Sequence, residues 1–236
     1  MVVTETDPRE TRRGWMLVRG LLAQNLVIGC SYGTFGISMI GLQERYPVGR
    51  GTISLGFSLV ILGMGLLGPV ISRSVDRFGF RRTMMTGAVL AGTGYAILAL
   101  SSHVLAFFLA FGLFIGPGVA MTGTLPVGLL VGGWYPESRG RAVGLATMPI
   151  LLSLMPMLGT ALITREGMSV FYGLIAVLHF LMLAVIMGIQ RAPGHAPAPI
   201  AQASDQPDTG RSIVGRPIFW VLVLAGGILN SVSITG

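Results

Sequence analysis

The sequence predicts an all-α polytopic membrane protein, and three observations predict it. The chain is 52% hydrophobic and only 11% charged, where soluble globular domains carry about a quarter charged residues. Uncharged runs long enough to cross a bilayer, about 20 residues each, occur at 20–43, 51–72, 83–136, 142–164, 167–190 and 217–236. Compact basic turns separate several of these runs, the densest being Arg73-Ser-Val-Asp76-Arg77-Phe-Gly79-Phe-Arg81-Arg82. Lipid must be the solvent for most of such a chain. The runs are continuously apolar, whereas a membrane β-barrel shows short segments of alternating polarity.

Element by element, the runs predict seven spans: 18–42, 51–73, 82–101, 104–131, 142–163, 169–190 and 217–236. The long 83–136 run divides near Ser101-Ser102-His103. Thr52 and Ser54 follow the turn Tyr46-Pro-Val-Gly-Arg50 and are expected to cap the second span. Glycine is abundant at 35 residues, and Pro117, Pro126, Pro149 and Pro156 fall inside spans. Lipid-embedded helices tolerate both, because small residues allow close approach and neighbours re-satisfy freed backbone groups. Residues 191–216 are rich in Ala, Pro, Gly, Gln, Asp and Ser and predict a flexible linker. The expected organisation is a polar N-terminus over 1–17, a six-helix bundle over 18–190, the linker over 191–216 and one further helix over 217–236. Residues 1–14 are polar, and the first apolar run is too long for a cleavable leader.

All 16 basic residues are arginine, and their placement predicts orientation. Thirteen lie on one side: Arg9, Arg12, Arg13, Arg19, Arg73, Arg77, Arg81, Arg82, Arg139, Arg141, Arg191, Arg211 and Arg216. Three lie on the other: Arg45, Arg50 and Arg165. The positive-inside rule then puts the N-terminus in the cytoplasm of a cell (plasma or inner) membrane. The net charge of +7 is thus a topology signal. Nucleic acid is excluded as a partner, since the arginines are scattered over short juxtamembrane turns. Cys30 is the one cysteine, so no disulfide forms within the chain.

The turn Ser72-Arg-Ser-Val-Asp76-Arg77-Phe-Gly79-Phe-Arg81-Arg82 resembles the turn between helices 2 and 3 of major facilitator superfamily transporters: a small residue, three more, then Asp-Arg-x-Gly-x-Arg-Arg. A second stretch, Trp134-Tyr135-Pro136-Glu-Ser-Arg139-Gly140-Arg141-Ala142-Val-Gly144, is similar to the Trp-Phe-Pro…Arg-Gly-x-Ala-x-Gly turn after helix 4 of that superfamily. The six-helix, linker, next-helix layout matches too. The resemblance covers roughly 15–236 and looks most like the monocarboxylate and oxalate/formate branch. Ser72 stands where the family often has Gly, and Phe80 where many members have Arg. The stretch Phe111-Gly-Leu-Phe-Ile-Gly116-Pro117-Gly118 takes the place of the intramembrane Arg of drug exporters.

The resemblance implies a fold of three-plus-three inverted helical repeats and alternating-access transport of a small organic solute, such as a monocarboxylate, with a proton as a coupling-ion candidate. It implies that Asp76 helps latch two six-helix halves in the outward-facing state. It also implies that the chain is the first half of a transporter plus the first helix of the second, so a C-terminal six-helix half is missing and these residues alone do not transport. By analogy, helices 1 and 4 line the cavity. Asn25, Gly29, Tyr32 and Gly36 share one face of the first span, and Thr122 and Thr124 are polar in the fourth. These are the cavity candidates, although each threonine or glycine equally suits helix–helix packing. His179, mid-span in the sixth helix, is a proton-relay candidate, since an intramembrane ionisable group is functional by default; a packed neutral imidazole is the competing reading. The six spans hold no acidic residue. For an anionic substrate, the cationic partner is expected from helices beyond Gly236.

Other classes fit poorly. A seven-helix receptor would place its N-terminus outside and, for retinal, need a lysine in the last span. An enzyme would need clustered His, Cys, Asp or Glu, or a Gly-Lys-Ser/Thr phosphate loop. The sequence has neither, so no catalytic residue, metal or cofactor is assigned.

Overall fold

The computed structural model describes residues 8–193. All but the first three residues of the linker expected over 191–216, and the span expected over 217–236, lie outside the described residues. Every element described is helical: α1 (Pro8–Arg45), α2 (Arg50–Leu66), α3 (Gly68–Leu100), α4 (Val104–Leu109), a π-helical segment (Ala110–Ile115), α5 (Gly116–Thr122), α6 (Thr124–Trp134), α7 (Arg139–Ala146) and α8 (Ile150–Met187). Four stretches among the described residues are long and apolar enough to cross a membrane, Arg9–Arg45, Gly68–Leu100, Val104–Trp134 and Arg139–Met187, with Arg50–Leu66 a shorter fifth.

Two of these stretches reverse at a glycine. Gly79 in α3 has φ 84°, ψ 164°, and Gly167 in α8 has φ 82°, ψ 172°. These left-handed-side conformations are open to glycine and costly for residues with a Cβ. The Ser74 and Thr83 hydroxyls lie 3.0 Å apart, although nine residues of straight helix would separate them by about 14 Å. A Cβ on Gly159 would meet Phe171 at 3.1 Å across twelve residues, about 18 Å along a straight helix. Counted between reversals, the described residues make six apolar runs in two sets of three. The same backbone state thus recurs between the second and third run of each set, as expected of a structural repeat.

Proline explains the internal breaks. Pro69 lacks an amide hydrogen and starts α3 one residue after Gly68, so the second run pauses at Leu67. The π-helical segment ends against Gly116-Pro117, where an extra residue per turn relieves the clash of the proline ring with the preceding turn. Pro126 follows the break at Gly123 (ψ −140°), and Pro149 precedes α8. Pro156 stays inside its helix. Thr52 and Ser54 do not cap α2. The preceding residue is Gly49, no side chain caps the helix, and Ser54 Oγ instead donates back to the Arg50 carbonyl at 3.1 Å. The first helix also starts at Pro8, ahead of the expected 18, because its polar first turns continue the same helix.

The core runs along the α1, α3 and α8 contacts, with Tyr95, Tyr172, Leu98, Phe107, Ile115 and Ile175 buried. Large apolar side chains cover the outside, among them Ile40, Leu62, Leu100, Leu105, Leu113 and Leu181. An apolar exterior of this extent is what a lipid-facing surface requires.

α1 is bolted at both ends. At its end the Arg45 guanidinium donates to Ala99 O at 3.0 Å and Ser169 Oγ at 2.9 Å, and the Tyr46 hydroxyl donates to Ser101 O at 3.0 Å. At its start Arg19 donates to the Gly188 carbonyl, and Met16 sulfur accepts the Gln190 amide at 3.2 Å. Cations thus sit on the last carbonyls of α3 and α8, where helix dipoles are negative.

Candidate transport groove and gating turn

The candidate gating turn reverses at Gly79. The residues before it end one helical run and those after it begin the next, so Asp76 and Arg77 stand at one lip and Arg81 and Arg82 at the other. Asp76 is exposed and, among the described residues, forms no ion pair or hydrogen bond. Arg77 lies over the Phe78 ring at 5.3 Å. Ser72 is partly buried, small enough for close approach of neighbouring helices.

The second motif divides in space. The Trp134 indole N–H donates to the Gln190 carbonyl at 3.0 Å, and Arg13 stacks on the Tyr135 ring at 4.0 Å. These contacts tie the end of α6 to the start of α1 and the end of α8. Pro136 and Gly140 are exposed. Arg139 turns back across Gly132, where a Cβ would meet its Nε at 2.7 Å, and reaches a groove.

That groove, about 390 Å³, runs along α6 between α3 and α7, lined by Met64, Thr124, Gly128, Arg139 and Val143 among others. Thr124 is exposed and its hydroxyl oxygen accepts the Gln24 amide at 3.0 Å. Gln24 itself is buried, with Oε1 unpartnered. Sequence reasoning passed over Gln24; its place one residue before Asn25 was the only available signal. Tyr32 connects to the same region, because its hydroxyl donates to Met64 sulfur at 3.3 Å, a weak acceptor. The Tyr32 ring meets Phe57 edge-on at 5.0 Å, and Phe57 stacks on Phe35 at 4.5 Å.

The shared face of α1 splits between neighbours. Asn25 and Gly29 pack on α8: the Leu151 amide donates to Asn25 Oδ1 at 2.9 Å, and a Cβ on Gly29 would meet Leu151 Cβ at 2.7 Å. Tyr32 faces α2 instead, and Gly36 is exposed with nothing near it. Helices that cross hand one face to different partners along its length. Thr122 is fully buried and donates to Met84 O at 3.2 Å, a bond to α3. His179 is fully buried between α8 and α3; Nδ1–H donates to Ile175 O at 2.8 Å, Nε2 has no partner, and the ring lies 5.1 Å from that of Tyr95. No His/Cys/Asp/Glu cluster able to hold a metal occurs among the described residues.

The apolar exterior and the long helices define a multi-pass α-helical membrane protein. The family model of the Major Facilitator Superfamily matches residues 21–236, and the chain belongs to that superfamily. It is 26% identical over 159 residues to monocarboxylate transporter 3 of Gallus gallus, covering 65% of this chain and 29% of that protein. It is 22% identical over 227 residues to the MFS-type transporter YhjX of Escherichia coli (strain K12), covering 94% of this chain and 55% of that protein. Among solved structures, a peptide transporter POT bound to alafosfalin superposes with TM-score 0.53 at 19% identity, covering 97% of this chain and 45% of that one; this shows the fold. The chain therefore spans between about a quarter and just over half the length of these relatives.

Proposed function

We propose that this chain forms the N-terminal half of a secondary transporter that moves a small organic solute, a monocarboxylate in the first instance, by alternating access. The observation that carries the reading is the open groove along α6, lined by Thr124 and Arg139 among apolar side chains, with Tyr32 bonded to the lining residue Met64. Mostly apolar clefts with a few placed polar groups are the usual form of a small-molecule site. The similarity to proteins named monocarboxylate transporters supports the solute class. The thirteen-to-three arginine asymmetry supports a cytoplasmic N-terminus in a cell membrane. A second six-helix half would close the groove from the opposite side, and Asp76, exposed and without a partner among the described residues, would latch to it. His179 is kept as the candidate for a coupled proton.

The test is uptake of labelled pyruvate and lactate into proteoliposomes containing the polypeptide made from the native locus, with its intact mass measured alongside. Saturable uptake competed by other monocarboxylates, and reduced by Asp76→Asn, is expected. Correctly inserted protein with no saturable uptake of any small carboxylate would overturn the monocarboxylate reading.

A further inference from the structure

We propose that Arg139 forms an anion-binding subsite at the end of the α6 groove, holding the carboxylate of the solute as it enters or leaves; this deepens the transporter reading and rests on it. Read from sequence, Arg139 is one more basic residue of a turn, and an anion's counter-charge is expected outside this chain. The tertiary structure differs. Arg139 opens α7, yet its side chain crosses Gly132 and lines the same groove as Thr124 and Gly128.

Three observations point to an anion. Among the described residues the Arg139 guanidinium pairs with no carboxylate and donates no hydrogen bond, although Glu137 is only two residues away. None of the groove-lining residues is acidic, and the remaining walls are apolar apart from Thr124. The Thr124 oxygen already accepts from Gln24, which leaves its O–H to donate into the groove. A planar guanidinium takes a carboxylate by two parallel N–H···O bonds. Arg139 is exposed at the groove mouth, so the attraction is moderated by solvent. That moderation suits a subsite that must also release.

The groove can be read without knowing the solute. A Cβ on Gly128 would find only Val143 Cγ1 at 3.8 Å, so Gly128→Cys places a thiol in the groove without crowding. The one native thiol, Cys30, is buried. The experiment reacts Gly128→Cys protein in lipid nanodiscs with methanethiosulfonates bearing either a sulfonate or a trimethylammonium group. With each rate normalised to that of a small free thiol, the sulfonate reagent should be favoured, on the order of tenfold as local counter-ion focusing allows. Arg139→Gln should erase that preference, Arg139→Lys should keep most of it, and Arg141→Gln should leave it unchanged. Millimolar pyruvate should slow labelling, and neutral pyruvamide should not, with the protection lost in Arg139→Gln and weakened in Arg139→Lys. An unchanged reagent preference in Arg139→Gln would overturn the proposal. So would equal protection by pyruvate and pyruvamide. A thiol unreactive to both reagents would mean the groove is filled by another segment or a second copy, which also overturns it. None of these rates depends on transport, so failure of the uptake assay is distinguishable from failure here.

Discussion

Asn25 of α1 caps α8: its Oδ1 accepts the Leu151 amide at 2.9 Å while its Nδ2 donates to Leu21 O at 3.0 Å. The residue before α8 is Pro149, whose side chain offers no acceptor. The first amides of a helix have no partner within it, and in a lipid-embedded bundle water is not at hand to supply one. A side chain from another helix does so, across a contact made close by Gly29.

Asn25→Leu should therefore destabilise the bundle by about 1–3 kcal/mol, the cost of leaving a buried amide unpaired. Asn25→Asp keeps an acceptor and should be milder. Thermal unfolding in detergent, monitored by circular dichroism, reads the difference. Equal melting of Asn25→Leu and wild type would remove Asn25 from the structural frame.

Gly79 and Gly167 hold the same positive-φ state in the two three-helix sets. Alanine at either should cost about 1–3 kcal/mol, even though a Cβ meets no neighbour at either place. With ψ near 164° rather than in the left-handed helical well, asparagine should give little relief over alanine. A melting temperature for Gly79→Ala equal to that of the wild type would show that conformation does not decide this position.

Asp76→Asn should leave stability within about 0.5 kcal/mol, because the carboxylate has no partner among the described residues. Uptake by the polypeptide made from the native locus should fall all the same. Normal uptake by the variant sinks the latch role.

Tyr32→Phe removes a hydroxyl whose acceptor is only the Met64 thioether. Little stability should be lost, and apparent affinity for the solute should weaken severalfold, about the worth of one hydrogen bond. Unchanged uptake kinetics would detach this face of α1 from the solute path.

His179 is packed against Tyr95 and bonded to its own helix backbone. His179→Gln should lower the melting temperature and, as the candidate for the coupled proton, flatten the pH profile of uptake. An unchanged profile would leave His179 a packing residue and take it out of the proton path.

Much of the fold was legible in the sequence. Long uncharged runs mark bilayer crossings because no buried charge is cheap in hydrocarbon. Gly79 in a charged turn marked a reversal, and positive φ is what the structure places there. Gly167 carried the same signal in Arg165-Glu166-Gly167. The break there was read from its charges, but Gly167 was not singled out as the reversing residue, because its surroundings hold fewer charges and lack the Asp-Arg pattern. The proline breaks at Pro69 and Pro126 were only half legible: a missing amide hydrogen is visible in sequence, but whether a neighbour accommodates it is not.

The sequence by itself determined solvent, class and run lengths, since these follow from hydropathy and charge, properties of local stretches. The tertiary structure decided which polar groups are used up and which remain free. Asn25 and Thr122 look like cavity residues until α8 and α3 claim their hydrogen bonds. Arg139 looks like a loop cation until α6 and α7 come together and Gly132 lets it cross into the groove. A side chain's function depends on its partners, and partners separated by a hundred residues are chosen by helix packing.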